Sequence, residues 1–562
     1  MSQLKFISKE PINKGWSCDK KYCAVAADNT KYFLRVASEE SSVNREDMFH
    51  MQQKAAALGV PMGEPVEFGK CEDGFYIAER WVNGRDAEEV IPYLPDSQQY
   101  AYGLCAGRIL KTIHSIPAPK TQPDWETRFN AKIDRKIKLY NKCSIQFDGA
   151  EHIIHYIEKN RSLLADRPQT FQHGDYHIGN MMIENGKIVI VDFNRYDFGD
   201  PWEEFNRIVW CAQASPLFAS GMVNGYFDNN VPDLFWKLLA LYIGSNTLSS
   251  VCWAVPFGEG EINTMLHQAE QVLDWYDNMK KTVPTWYVSE YYLQYIDGIP
   301  YKMKSAYNFD FISSYGKVFK VYDDQDSGNI CFGIEKGNQR FFIKYAGAPT
   351  EAYNGTAEQA IEQLKSTLPI YNDLSHPNLI KLVDAGKIAD GFYMMFKWAD
   401  GDCMGRMYPE THQRFMKLPA EDKLAVFRDV LGFFEFVHSR GYMAVDFYDG
   451  SIIYDFESGK TTICDIDLFR KKPCINDMGR MWGSSRFMSP EEFTLGAQLD
   501  EITNVYTVGA TAFALFGEYG RTREKWELSE ALFQVAVRAT ARERKARQQS
   551  IRQFIEEWEN AM

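Results

Sequence analysis

The chain has 562 residues, 45% apolar and 25% charged, with a net charge of −14. At roughly 100–200 residues per domain this length holds two to four domains, and the composition excludes a disordered, collagen-like or disulfide-scaffold chain. The acidity is spread over both halves, which argues against a nucleic-acid partner because such partners demand a basic surface.

One local basic cluster, Arg538, Arg542, Arg544, Lys545 and Arg547, reads as a solvated helix face beside Glu556 and Glu557. The eleven cysteines include no Cys-x-x-Cys pair. The opening MSQLKFISKE lacks the apolar core of a signal peptide, so reduced thiols and a cytoplasmic location are expected. The most apolar stretch, Leu234 to Val255, is interrupted by Lys237, Ser245, Asn246 and Ser249. It reads as a buried helix, and no membrane partner is expected.

In chain order, residues 31–38 alternate Tyr32, Leu34 and Val36 against Phe33 and Arg35, a strand pattern. Residues 46–58 read as a helix ended by Gly59 and Pro61, and 72–81 as a strand leading into Val82-Asn83-Gly84. A loop, His173-Gly-Asp-Tyr-His-Ile-Gly-Asn180, precedes an apolar strand at 187–191 and then Asp192. Near 283–305 two prolines and two candidate turns break the helical pattern. Beyond this seam, 317–322, 331–335 and 339–345 read as strands, 357–368 as a helix, and 392–398 as a strand running into Ala399-Asp400-Gly401. The order of elements therefore repeats, which predicts domains at 1–285 and 306–562 joined by a linker at 286–305.

The loop at 173–180 carries chemistry. Asp175, Asn180 and Asp192 supply two carboxylates and an amide oxygen, hard ligands that suit Mg²⁺. A carboxylate left off the metal can orient a hydroxyl and take its proton, and phosphoryl transfer needs these parts. The segment resembles the catalytic loop of the aminoglycoside and choline phosphotransferase family, over roughly residues 5–285. That resemblance implies Asp175 as catalytic base, Asn180 and Asp192 as Mg²⁺ ligands, and a phosphate-covering hairpin at residues 12–17 with Ser17 on ATP. It also implies a hinge near Val82-Asn83-Gly84. The strand position that holds a phosphate-binding lysine in the family is Arg35 here, with Glu46 as candidate helix partner. Arginine keeps a permanent charge and a fork suited to phosphate. Trp202, Glu203, Asp228, Asp233, Trp236, Trp253, Glu259 and Glu261 mix acids with indoles, which suggests a cationic acceptor.

The second half resembles a eukaryotic-type serine/threonine protein kinase over 308–556. The resemblance implies Lys344 and Gly316 on ATP, Asp446 as catalytic base, Asp465 as metal ligand, and Glu491 with Arg547 as a buried ion pair. Departures are many: Ala444-Val445-Asp446 replaces H-R-D, Ser451 the metal-binding Asn, and Asp465-Ile466-Asp467 D-F-G. Glu358 and Glu362 are the candidate partners of Lys344. The fold expected is α+β: two tandem protein-kinase-like bilobal domains, each with a small antiparallel-sheet N-lobe and a mostly helical C-lobe. The expected activity is ATP- and Mg²⁺-dependent phosphotransfer to a small hydroxylated, cationic molecule by the first domain, the second being regulatory or weakly active. The alternatives are protein Ser/Thr phosphorylation by the second domain, or a nucleotide-sensing scaffold without enzymatic activity.

Overall fold

The computed structural model describes residues 4–13, 19–38 and 45–562. The chain divides into two compact units, Met1–Leu293 and Gln294–Met562. In the first, strands Phe6–Pro11, Lys20–Ala26, Lys31–Ala37, Pro65–Cys71 and Gly74–Arg80 form one sheet in the order first, second, third, fifth, fourth. Every pairing is antiparallel. Leu34 and Val36 turn into the core, as the alternation predicts, and Arg35 is buried as well.

The rest of the first unit is helical apart from two small sheets. Its core joins Phe129, Phe171, Tyr176, Phe205 and Leu241, all buried. The helix Asp233–Ala254 runs through this core. By length and hydropathy it could span a bilayer, yet 67% of its apolar window is buried inside the unit. The hairpin Met181–Glu184 with Lys187–Ile190 delivers Asp192 from the catalytic-type loop.

The second unit repeats the sheet with Lys317–Tyr322, Asn329–Lys336, Gln339–Ala346, Leu382–Ile388 and Gly391–Lys397 in the same order. Its helix Ala357–Asp373 runs past the expected end at residue 368, through Pro369. The added turn carries Tyr371, 4% exposed, and that burial offsets the cost of the proline. Helices Ala420–Ser439, Glu501–Phe516 and Ile551–Ala561 pack the lower lobe around Phe427, Phe516 and Trp558.

Around the seam, Trp286 and Val288 bond into the first unit, their carbonyls accepting from Ser220 and Asn224. A hairpin, Leu293–Ile296 with Ile299–Lys302, follows. Asp297 in its turn accepts from the Val318 amide at 2.7 Å, and Tyr301 and Met303 enter the core around Phe309 and Phe332.

Candidate functional site

In the first unit the loop is locked from beneath. The buried His173 ring bonds the Val191 carbonyl through Nε2 at 3.0 Å and accepts from the Asp175 amide through Nδ1 at 3.2 Å. Gly174 sits at φ +86°, its amide donates to Glu204 at 2.8 Å, and a Cβ there would stand 1.8 Å from the Arg195 carbonyl oxygen. Only glycine fits. Asn180 donates from Nδ2 to the Asp175 carbonyl at 2.9 Å, which fixes the oxygen as the free end of its amide. Asp192 follows the hairpin at φ +66°.

Arg35 reaches across from the sheet and bonds Asp192 at 2.7 Å and Asp19 at 3.3 Å. Arg45, at the start of the helix Arg45–Ala57, holds both oxygens of the same Asp19 at 2.9 and 3.0 Å and donates to Asn194 at 2.7 Å. Lys21 lies opposite Arg35 in the ladder. Burial and Arg35 lower the Lys21 pKa, against the pull of Asp192 and Asp19. Burial works to raise the Asp192 carboxyl, but Arg35, Lys21 and His173 outweigh it and hold the group below its ordinary value. Asp175 faces Arg207 at 3.2 Å, Arg195 at 3.6 Å and His177 at 3.8 Å. Burial, with Arg207 and Arg195 assisting against Asp175, pushes His177 down to about 4, so it is neutral at physiological pH.

The structure thus brings Asp175, Asn180, Asp192 and Arg35 together; Ser17 lies outside the described residues. Glu46 is exposed, and Asp19 with Asp192 takes the place expected of it beside Arg35. The donor chemistry fits Mg²⁺ and a triphosphate: an amide oxygen and a carboxylate on one side, with Arg35 and Lys21 opposite. Sequence reasoning missed Asp19, Lys21, Arg45, Arg195 and Arg207. Lys21 was accessible through strand register alone, whereas Arg207 carries no local motif.

The acid-and-indole lining expected for a cationic acceptor is not assembled. Trp236 is buried against Tyr287, Trp253 packs on Phe257, and Asp228 pairs with Lys111 at the surface. Trp202 carries the Arg167 guanidinium over its ring at 3.9 Å. Glu203 bonds Lys132 at 2.9 Å and also feels Lys136 and Arg207, so the surroundings of Asp175 are basic. Asp200, fully buried, takes a two-pronged bond from Arg167 at 2.7 and 2.9 Å and a further one from Tyr242.

The second unit holds its matching residues differently. Lys344 is clamped between Asp465 at 2.9 Å and Asp467 at 2.8 Å, and Tyr371 donates to Asp467 at 2.7 Å. Glu358 and Glu362 are both exposed, so the helix partner of Lys344 is replaced by an Asp467–Tyr371 relay. Gly316 does not stand in the phosphate-covering turn. It precedes the first strand, and the turn between the first two strands is 323–328, Asp-Asp-Gln-Asp-Ser-Gly. Asp446, at φ +59°, is pushed up to about 7 by burial, Asp465 and Asp326, against a bond from the Ser484 amide. Ser451 is fully buried and its hydroxyl accepts from the Tyr448 amide.

The carboxylates of Asp465 and Asp467 suit Mg²⁺, but the set as a whole suits phosphate poorly. Lys344 is held by two carboxylates, and acids stand in the turn where amides and glycines would cradle phosphate. The Glu491–Arg547 pair forms as expected, at 2.8 and 3.1 Å, and Arg544 joins it at 2.7 Å. Arg544 and Arg547 of the basic cluster therefore point inward, Arg547 being wholly buried.

Residues 9–235 match the Phosphotransferase enzyme family, and residues 327–558 match the Protein kinase domain. The chain joins two kinase-like domains in one polypeptide, the first of the phosphotransferase type and the second of the protein kinase type. Among curated proteins, mitogen-activated protein kinase kinase kinase 1b of Physcomitrium patens is 20% identical over 197 residues, 34% of this chain and 25% of that protein. Serine/threonine-protein kinase SSN3 of Coccidioides immitis is 26% identical over 216 residues, 38% and 42% respectively. The chain spans less than half the length of these relatives. A thermostable aminoglycoside phosphotransferase APH(4)-Ia aligns in its apo form over 48% of this chain and 94% of its own, at 16% identity and a TM-score of 0.37. Its ternary complex with AMP-PNP and hygromycin B gives 15% identity and a TM-score of 0.38.

Proposed function

We propose that the first unit transfers the γ-phosphoryl group of ATP to a hydroxyl of a small molecule, with Asp175 as base. The observation that carries this reading is the convergence of Asp175, Asn180 and Asp192 on one side with Arg35 on the other. Mg²⁺ held by Asn180 and Asp192 would neutralise phosphate charge. Arg35 and Lys21 present cations to the phosphate oxygens, and Arg207 with Arg195 fixes the direction of the Asp175 carboxylate. That carboxylate aligns the acceptor hydroxyl and takes its proton as the bond to phosphorus forms.

The acceptor approaches past Arg195, Arg207 and Lys132, which Asp175 and Glu203 oppose, and past Lys136, which burial lowers to about 7. We therefore place no cationic group beside its reacting hydroxyl. The second unit, whose donors suit phosphate poorly, serves this enzyme as a regulatory domain.

The test is a labelling experiment. The intact protein is incubated with γ-labelled ATP, Mg²⁺, sugars, amino sugars, sugar acids, amino alcohols and a generic protein substrate. Label on a small molecule, lost in Asp175→Asn, is expected. Label on protein, lost in Asp446→Asn, would overturn the reading.

A further inference from the structure

The cleft of the second unit encloses a cavity of about 390 Å³, large enough for a small-molecule ligand. Seven aromatic residues, among them Tyr322, Phe342, Trp398, Tyr408 and Tyr448, supply much of its wall. Two cations line it, Lys320 and Lys344. Lys344 is already shared between Asp465 and Asp467, and has no charge to spare. Lys320 stands with its ammonium 4.7 Å from the Tyr322 ring centre, so the wall already receives a cation from its own chain.

Carboxylates outnumber these lysines. Asp402 and Asp465 line the cavity. Asp324 acts electrostatically on Tyr408 and Cys331 in its wall, and Asp326 and Asp465 both act on Asp446. Asp465 and Asp467 are matched by Lys344, and Asp402 lies 3.9 Å from Arg414, so the acidity in excess comes from Asp324 and Asp326 of the turn and from Asp446, whose carboxyl is raised to about 7. A nucleoside triphosphate keeps net negative charge even with Mg²⁺ bound, whereas an organic cation is drawn both by the acids and by the negative faces of the rings.

We infer that this cleft binds a small organic cation, seated against the aromatic wall beneath the acidic turn at 323–328. The nucleotide site of the ordinary kinase cleft is thereby converted to a receptor for an amine or quaternary ammonium. The inference is independent of the catalytic reading of the first unit, since it concerns other residues and binding alone.

The full-length protein is titrated with choline, spermidine and benzyltrimethylammonium, with 3,3-dimethylbutan-1-ol as the uncharged isostere of choline, and with Mg²⁺–ATP. Amide hydrogen exchange reads where each one binds. At least one cation is expected to slow exchange in Lys317–Tyr322 and at 398–403. For choline the preference over its isostere should be about tenfold or more, the scale of a desolvated cation–ring contact. Asp326→Asn and Asp402→Asn, both at exposed positions, should each weaken binding about threefold or more without altering the melting temperature. Three results would overturn the inference. They are equal binding of the isostere, protection of these segments by Mg²⁺–ATP in preference to every cation, and cation protection confined to residues 173–192 or absent altogether.

Discussion

The two clefts are built on the same five-stranded sheet order and the same kind of loop, yet the charges around their strand cations are arranged differently. In the first, the strand cation Arg35 bonds Asp192 and Asp19, and two more cations, Arg45 and Lys21, stand beside the same acids. In the second, the strand cation Lys344 is consumed by Asp465 and Asp467, and the covering turn adds Asp324 and Asp326. The fold fixes where some six side chains stand. The local balance of charge around those side chains differs between the two clefts.

The largest effect that would test this contrast is Asp175→Asn. Turnover should fall about 10²–10⁴-fold with little change in ATP affinity, as expected for a base acting in transfer. Asp446→Asn should leave transfer to a small molecule unchanged, and steady-state kinetics on both variants checks the pair. Next, Asp192→Ala should remove Mg²⁺-dependent ATP binding from the protein altogether, measured by calorimetry. Residual binding of equal strength would place nucleotide in the second cleft and break the comparison.

A third test concerns the anchors. Arg167–Asp200 and Arg547–Glu491 are each buried in their own unit. Asp200→Asn leaves the Arg167 guanidinium without its counterion and should cost about 3–5 kcal/mol. Arg547→Met should cost less, because Arg544 still holds Glu491 at 2.7 Å. Denaturant melts of both variants would rank them.

The smallest effect is one of pH. Burial pushes Glu79 up to about 7 from its usual 4.5, against Arg35 and the Gln52 hydrogen bond of 2.8 Å. Between those values the folded chain holds a proton that the unfolded chain has released. Its contribution to stability is therefore complete below pH 4.5, falls as pH rises to about 7, and is flat above. Glu79→Gln removes that slope, so its melting temperature relative to wild type should be higher at pH 8 than at pH 5, by a few degrees.

Much of this was legible in the amino-acid order. The strand around Arg35 announces itself by alternation, and the Asp175, Asn180, Asp192 set by its spacing. The Glu491–Arg547 pair was legible through resemblance. What was not legible depends on register and on contacts far apart in sequence. Gly316 looked like a loop glycine until strand pairing put the covering turn seven residues later. Glu46 is the expected partner because a helix acid is sought, whereas Asp19, just before the second strand, is an acid that meets Arg35. The basic surroundings of Asp175 come from Arg207, 32 residues downstream, which no local pattern marks.

The short hairpin that opens the second unit bears on how the chain can be dissected. Its turn residue Asp297 satisfies the Val318 amide, and Tyr301 and Met303 close the floor on which the second sheet rests. A fragment starting at residue 306 would uncover Phe309 and Phe332 and leave that amide without its acceptor. One starting at 294 would keep both intact. The natural cutting point between the two kinase-like halves therefore precedes the hairpin, and those few residues decide whether the second half can be studied alone.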